Sequence, residues 1–178
     1  MQSNKSVVYF LINFFGVYAL LFVLYAWYLQ KNQIKEPYFA CAPITKNVAN
    51  QTQKLMNFVG YKVAMQQHTK EVSMNVLVNN KPVARIVEGC NSVSVIILYI
   101  AFIIAFKGSF KNTILFIIGG SLLIYYFNIV RIAIISIAIY KYPVYEKTLH
   151  EIVFPLLIYG LTFLLWFIWV KKFASFKK

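Results

Sequence analysis

Four long apolar runs constrain the fold of this chain more than any other feature. They cover residues 7–29, 93–106, 113–140 and 150–170, and they are separated by polar or basic segments. A helix needs about 20 apolar residues to cross the hydrocarbon core of a bilayer. The run at 93–106 reaches that length only if its helix begins near Gly89, with Cys90 in the first turn. The sequence therefore predicts an all-α polytopic membrane protein with about four transmembrane helices.

The first run could be either a signal peptide or a retained helix. A basic residue, Lys5, precedes it, as in a signal peptide. The run is too long for a signal core, and no small-residue cleavage site follows Leu29. Tyr25, Trp27 and Tyr28 form an aromatic belt of the kind found at membrane interfaces. These features favour a retained transmembrane helix over residues 1–30.

Residues 31–88 have a different chemistry, with eight Lys or Arg residues and three Glu residues. Apolar residues at helical spacing predict a short amphipathic helix; they are Ile44, Val48, Leu55 and Val59. Alternating residues at 72–78, a turn at 79–82 and a return strand at 83–87 predict a β-hairpin. We interpret 31–88 as a small α+β cap between the first two membrane helices, and 89–178 as a three-helix membrane core with a basic tail.

The charge distribution predicts the orientation of the chain. Basic residues lie in the loop at 107–111 and in the tail at 171–178, on the same side as both termini of a four-span protein. Loops rich in Lys and Arg stay in the cytoplasm. We therefore expect a bacterial inner-membrane protein with a cytoplasmic tail and an extracytoplasmic cap. The net charge of +13 reflects these flanks and headgroup contacts rather than nucleic-acid binding.

The composition also excludes several chemistries. The chain has no Asp, which rules out the paired aspartates of intramembrane aspartyl proteases. It carries no Cys-x-x-Cys, His-Glu-x-x-His, Walker or dinucleotide motif, so we expect no metal and no cofactor. Its two cysteines, Cys41 and Cys90, do not form a disulfide framework, although a single bond between them is an alternative that would disable Cys90 as a nucleophile.

Three unusual residues are predicted to lie at the same depth in the membrane. Cys90 precedes Lys107 by 17 residues, Arg131 follows Thr113 by 18, and His150 precedes Lys171 by 21. At a helical rise of about 1.5 Å per residue these separations are about 25, 27 and 31 Å. The hydrocarbon core is about 30 Å thick, so all three residues reach the extracytoplasmic interface.

Each of these residues alone has a structural explanation. A lone Cys is usually an inert small hydrophobe, and an Arg near a helix end often reaches towards headgroups. Their common depth favours a shared chemical role instead. A thiolate is stabilised at a helix start and near a cation, which predicts Cys90 as a nucleophile. Glu88 opposes this role unless its carboxylate points away or is paired.

The other members of the predicted site have complementary chemistry. His150 would take the thiol proton and return it to a leaving amine. Arg131, with Asn128 one turn earlier, would stabilise an oxyanion. Thr148 and Glu151 have the spacing of a capping box that would fix His150 in the first turn of its helix. His68 is the other histidine of the chain and lies in a polar stretch, where it is an alternative base.

The pattern resembles the exosortase/archaeosortase family of membrane cysteine transpeptidases. The resemblance lies in Glu-Gly-Cys90-Asn-Ser, in Asn128-Ile-Val-Arg131-Ile and in Leu-His150-Glu-Ile-Val-Phe, and it extends over residues 85 to 170. Many family members follow the Cys with Ser-Gly and have more spans. This chain is similar to a short variant of the exosortase F type.

The resemblance implies an activity and its partners. Such enzymes act on secreted proteins that carry a C-terminal sorting signal, made of a short motif, a transmembrane helix and a basic cluster. The thiol attacks the backbone near the motif, and an acceptor, often from a lipid or surface glycan, resolves the acyl-enzyme. Two alternatives stay open: a cysteine-dependent membrane hydrolase outside this family, and a non-enzymatic scaffold or assembly factor that binds a partner or anionic lipid through its basic cap.

Overall fold

The structure is a computed structural model that describes residues 2–34, 38–106 and 108–173; for residues 2–4, 6, 150 and 154 it describes only the backbone. The helices are α1 (Gln2–Asn32), α2 (Pro43–Phe58), α3 (Val93–Ala105), α4 (Phe110–Lys141) and α5 (Phe154–Lys172), and the strands are β1 (Val63–Gln67), β2 (Ser73–Val78) and β3 (Lys81–Val87). The basic residue Lys107 and the tail at 174–178, on which the predicted orientation partly rests, lie outside the described residues.

Three of the described helical segments are long and apolar enough to span a membrane. They are Val7–Asn32, Phe110–Lys141 and Pro143–Lys172. Helix α3 has only 13 residues and a length of about 20 Å, which is less than a full span. The protein is thus a multi-pass membrane protein, as predicted, with three candidate spans and a shorter apolar helix in place of the fourth.

The prediction that Cys90 lies in the first turn of α3 is wrong. Ser92 has a left-handed backbone, with a φ of 64°, and this conformation interrupts the helical path. Residues Glu88–Asn91 therefore form a separate 3₁₀ turn, and α3 begins at Val93. We call Glu88–Asn91 the cysteine turn.

The membrane helices pack through aromatic side chains and one close backbone approach. Tyr99 of α3 is buried against Gly120 of α4, where an added Cβ atom would overlap the tyrosine ring. The absence of a side chain at Gly120 is what allows this close approach. Phe102 of α3 stacks on Trp166 of α5 at a centroid distance of 4.2 Å. These contacts join α3, α4 and α5 in one apolar core.

The segment between α1 and α3 forms α2 and a three-stranded antiparallel sheet in the order β1-β2-β3. From here on, the cap means residues 38–87, which lie within the predicted cap segment 31–88. The predicted amphipathic helix and hairpin are confirmed, and Asn79 and Asn80 have the positive φ angles that a tight hairpin turn requires. Val59 is an exception, because it lies after the end of α2 and is exposed. Strand β1 was not predicted, since its polar residues weaken the alternating pattern.

The cap rests directly on the membrane core. Val48 and Met56 of α2 and Val76 of β2 share one buried cluster with Ile129 and Ile132 of α4. This cluster lies on the same part of α4 as Asn128 and Arg131. The position of the cap is therefore fixed by the helix that carries two of the predicted site residues.

Candidate active site

The cysteine turn joins the last strand of the cap to the start of α3. Val87 of β3 precedes it in an extended conformation, and Ser92 follows it in the left-handed conformation. Cys90 is partly buried on this turn and packs beside the cluster shared by the cap and α4. The thiol thus lies at the junction of the cap and the membrane helices.

The Glu88 carboxylate is hydrogen-bonded to the start of α2. It accepts a hydrogen bond from the backbone N–H of Ala42, at 2.7 Å, and a short one from the hydroxyl of Thr45. Ala42 is the residue before α2, so the charge is held at the N-terminus of that helix. The helix dipole stabilises a negative charge at this end.

Asn91 connects three elements around the cysteine turn. Its Nδ2 donates to the hydroxyl of Tyr25 on α1 at 2.7 Å and to Thr45 Oγ1 on α2 at 3.0 Å. Its Oδ1 accepts the backbone N–H of Val93 at the start of α3, at 3.0 Å. Sequence reasoning noted Asn91 only as a departure from a family motif. An Asn two residues before the start of an apolar helix is a local capping signal that could have identified it.

Asn128 and Arg131 both face the cysteine turn from α4. Asn128 is 1% exposed, and its Nδ2 donates to the backbone carbonyl of Cys90 at 2.7 Å. Arg131 is 6% exposed and interacts electrostatically with Cys90 and with Tyr159 of α5. The structure therefore brings together Cys90, Asn128 and Arg131, three of the five predicted site residues.

The region of His150 is helical before α5 begins. The chain forms a 3₁₀ turn at Pro143–Tyr145, a short helical turn at Glu146–Thr148 and a π-helical turn at Leu149–Val153. Pro155 has no N–H to donate to residue 151, which explains the wider turn before it. The His150 backbone lies in the π-helical turn, and its side chain lies outside the described residues.

The predicted capping box of Thr148 and Glu151 is not formed. Thr148 already has a helical conformation, so it cannot adopt the extended backbone of an N-cap. Glu151 is exposed and borders an open surface depression beside Pro143 and Lys147. The π-helical turn, not a capping box, therefore sets the backbone at His150.

A cavity of about 380 Å³ adjoins the thiol. Its lining combines Cys90 with residues of β3 and α4 and with two carboxylates, Glu71 and Glu146. Glu146 belongs to the turn that precedes His150. The cavity gives a polypeptide segment room to reach Cys90 from the side of the cap.

Both cysteines are free thiols. Cys41 is 1% exposed, and burial, with the nearby Glu88 carboxylate, raises the pKa of its thiol. The disulfide alternative is thus not formed here. His68 is partly buried in the turn between β1 and β2, where its Nδ1 accepts the backbone N–H of Lys70 at 3.1 Å.

Comparison with known proteins identifies the family. The family model described as transmembrane exosortase matches residues 7–168, which include most of α1, the cap, the cysteine turn, α3, α4 and most of α5. No curated protein and no solved structure matches the chain. The match covers most of the sequence and all of the residues predicted to form the site, and the chain therefore belongs to the transmembrane exosortase family of membrane-embedded sorting transpeptidases.

Proposed function

We propose that this exosortase cleaves C-terminal sorting signals from secreted proteins and transfers those proteins to a surface acceptor through a thioester on Cys90. One observation carries the proposal. The thiol borders a cavity, while α4 holds the Cys90 carbonyl through Asn128 and brings Arg131 within electrostatic reach of the thiol. A guanidinium beside the thiol can stabilise the oxyanion that forms when the thiol attacks a peptide carbonyl.

The first half of the reaction forms the thioester. Cys90 Sγ attacks the carbonyl carbon of the scissile peptide bond, and His150 takes the thiol proton. The carbonyl oxygen becomes an oxyanion, which the Arg131 guanidinium stabilises. Collapse of this intermediate breaks the C–N bond, and His150 returns the proton to the leaving amine. The sorting helix leaves, and the secreted protein stays bound to Cys90.

The second half releases the protein. A nucleophile of the acceptor attacks the thioester carbonyl and gives its proton to His150. Arg131 stabilises the second oxyanion as it did the first. Cys90 then leaves as the thiolate and regains its proton. No oxidant, metal or cofactor takes part in either half.

The exposed apolar faces of the helices support a membrane location and a membrane-helix partner. The helices expose large apolar side chains along their length; on α1 these include Tyr9, Ile12, Leu20 and Val23. Such faces suit contact with lipid and with the transmembrane helix of a sorting signal. We propose a bacterial inner-membrane enzyme whose cap and Cys90 face the extracytoplasmic side, where secreted substrates arrive. Nucleic acid is not a partner in this proposal.

The test replaces single residues in the host cell. Cys90→Ala, Arg131→Ala and His150→Ala should each leave the protein in the membrane. Each should block removal of C-terminal helix-plus-basic tails from secreted proteins, with Cys90→Ala slowing it by at least about a thousandfold. Mass spectrometry of protein C-termini measures the retained tails. Cys41→Ala is the matched control, because it removes the other thiol, which lies buried in the cap.

Two results would contradict the proposal. Normal removal of tails by Cys90→Ala would exclude the thioester mechanism and favour a scaffold, which should instead be sensitive to changes across the basic cap. A block in hydrolysis of other membrane proteins, with sorting tails still removed, would favour a cysteine hydrolase with different substrates. Membrane levels of each variant, measured by immunoblot, separate lost catalysis from lost protein.

A further inference from the structure

The cavity beside Cys90 runs along the edge of a strand. On one side it is lined by five consecutive residues of β3, from Val83 to Val87. Successive residues of a strand point to opposite faces of a sheet, so a cavity on one face would meet only alternate residues. On the other side it is lined by one face of α4, formed by Ile132, Ile135, Ser136 and Ile139. The cavity is therefore a groove between the β3 edge and α4.

The hydrogen-bond ladder of the sheet shows which backbone groups face this groove. Between β1 and β2, the N–H of Asn79 donates to the carbonyl of Lys62, and the N–H of His68 donates to the carbonyl of Ser73. Hydrogen-bonded pairs alternate with non-bonded pairs in an antiparallel ladder. Odd-numbered residues of β2 therefore direct their backbone groups to β1, and even-numbered residues direct theirs to β3.

The same alternation applies across β2 and β3. Ala84 and Ile86 lie opposite even-numbered residues of β2, so they are bonded to that strand. Arg85 and Val87 lie opposite odd-numbered residues, so the N–H and C=O of Arg85 and the N–H of Val87 point to the free edge of the sheet. No backbone or side-chain hydrogen bond to the N–H of either residue occurs among the residues that the structure describes. The Val87 C=O is the N-cap carbonyl of the cysteine turn and accepts the first hydrogen bond of that turn.

The part of the β3 edge that can pair with another strand is short and ends at the turn that carries Cys90. Pro82 has no N–H, and the pairing skips Val83, which forms a bulge. These two residues end the open edge at Ala84. The remaining stretch, residues 84–87, spans about 13 Å at about 3.3 Å per residue. It leads directly into the cysteine turn that carries Cys90.

We propose that the substrate polypeptide binds in this groove as a fourth strand on β3, with its scissile bond at Cys90. The inference rests on the proposed function and adds how the substrate is recognised. Strand addition gives affinity through main-chain hydrogen bonds and selects alternate side chains through pockets. The N–H and C=O groups of Arg85 and the N–H of Val87 pair with the substrate backbone. Substrate side chains that face α4 meet isoleucines, which favours aliphatic residues there.

The test compares two substitutions at one position. Arg85→Pro removes the outward N–H and leaves the ladder to β2 intact, because only Ala84 and Ile86 are bonded to β2. Proline is accepted on edge strands when its missing N–H faces outward. Arg85→Ala is the matched control, since it removes the same side chain and its exposed ion pair with Glu71 but keeps the N–H.

The expected result is a difference between these variants in the host cell. Pulse-chase labelling follows the loss of C-terminal tails from the secreted proteins that accumulate in Cys90→Ala cells. Arg85→Ala gives the reference rate, because it lacks the side chain and its ion pair with Glu71 but keeps the N–H. Arg85→Pro should be about five- to tenfold slower than Arg85→Ala, the effect of one lost backbone hydrogen bond. Val87→Pro and Val87→Ala form a second pair with the same expectation and serve if Arg85→Pro fails to accumulate.

The outcomes distinguish a failure of strand addition from a failure of the proposed function. If Cys90→Ala blocks processing but each proline variant matches its alanine control, strand addition is wrong and the proposed function stands. If both Arg85 variants are slowed equally, the side chain acts and strand addition is again wrong. If Cys90→Ala processes normally, the proposed function and this inference fall together.

Discussion

Glu88→Ala should loosen the cap from the turn that carries Cys90. The substitution removes the acceptor of the Ala42 N–H and of the Thr45 hydroxyl, both at the start of α2. A hydrogen bond to a charged group contributes about 1.5–3 kcal/mol, and a carboxylate at a helix N-terminus adds about 0.3–1 kcal/mol. Because the site is only partly buried, water replaces some of the loss. We expect the free energy of unfolding to fall by about 2–3 kcal/mol.

A double-mutant cycle with Thr45→Val tests whether this loss comes from the contact itself. Valine keeps the shape of threonine and removes the hydroxyl. The cycle should give a coupling of about 1 kcal/mol or more in the free energy of unfolding, measured by denaturant titration of the purified protein in detergent micelles. Glu71→Ala is the matched control, since its exposed ion pair with Arg85 should be worth less than about 1 kcal/mol.

Two results would refute the reasoning about Glu88. One is a Glu88→Ala protein whose free energy of unfolding lies within about 0.5 kcal/mol of the wild type, which is the size of an ordinary surface change. The other is additivity of Glu88→Ala and Thr45→Val, which would mean that the two side chains do not act on each other. Either result would exclude Glu88 as a support of the cysteine turn and leave that role to the hydrogen bonds of Asn91 and Asn128.

Two further predictions concern the thiols and the helix packing. A membrane-impermeant maleimide added to the outside of cells at pH 7–8 should label Cys90 and leave Cys41 unlabelled. Burial keeps Cys41 inaccessible and raises the pKa of its thiol. Labelling of Cys90 only after the cytoplasm is opened would contradict the proposed orientation. Gly120→Ala should lower the free energy of unfolding by about 1–3 kcal/mol, because its Cβ would overlap Tyr99. Gly119→Ala is the control and should change the free energy of unfolding little, because its Cβ meets open space. Equal effects of the two substitutions on thermal unfolding would show that the close approach of Gly120 to Tyr99 is not important.

Counting residues along the chain predicted the membrane depth of Cys90, Arg131 and His150. It could not predict which side of each helix faces its neighbours. The count assumed one continuous helix from Cys90 to Lys107 with a constant rise, whereas α3 covers only Val93–Ala105. Helix length says nothing about which side of a helix faces a neighbour. The contact of Asn128 with the Cys90 carbonyl depends on the rotation of α4, and that rotation is set by packing against the cap and α3.

Local signals were also misread where tertiary structure changed their context. Thr148 and Glu151 have capping-box spacing, but the chain is already helical before Thr148, so the motif has no helix start to cap. Ser92 is the opposite case. Its left-handed backbone ends the turn and delays α3, and nothing in the apolar pattern after Gly89 predicts that break.

The sequence alone determined the membrane class, the helix-and-hairpin content of the cap and the family, because hydrophobic period, run length and short motifs are local properties of the chain. Only the tertiary structure decided what surrounds Cys90. Glu88 bonds to Thr45, and Asn91 bonds to Tyr25, across 43 and 66 positions of sequence. The free edge of β3 likewise became visible only once β1 was placed on the far side of β2. Such contacts follow from how helices and strands pack against each other, and no local pattern encodes which distant partner each side chain meets.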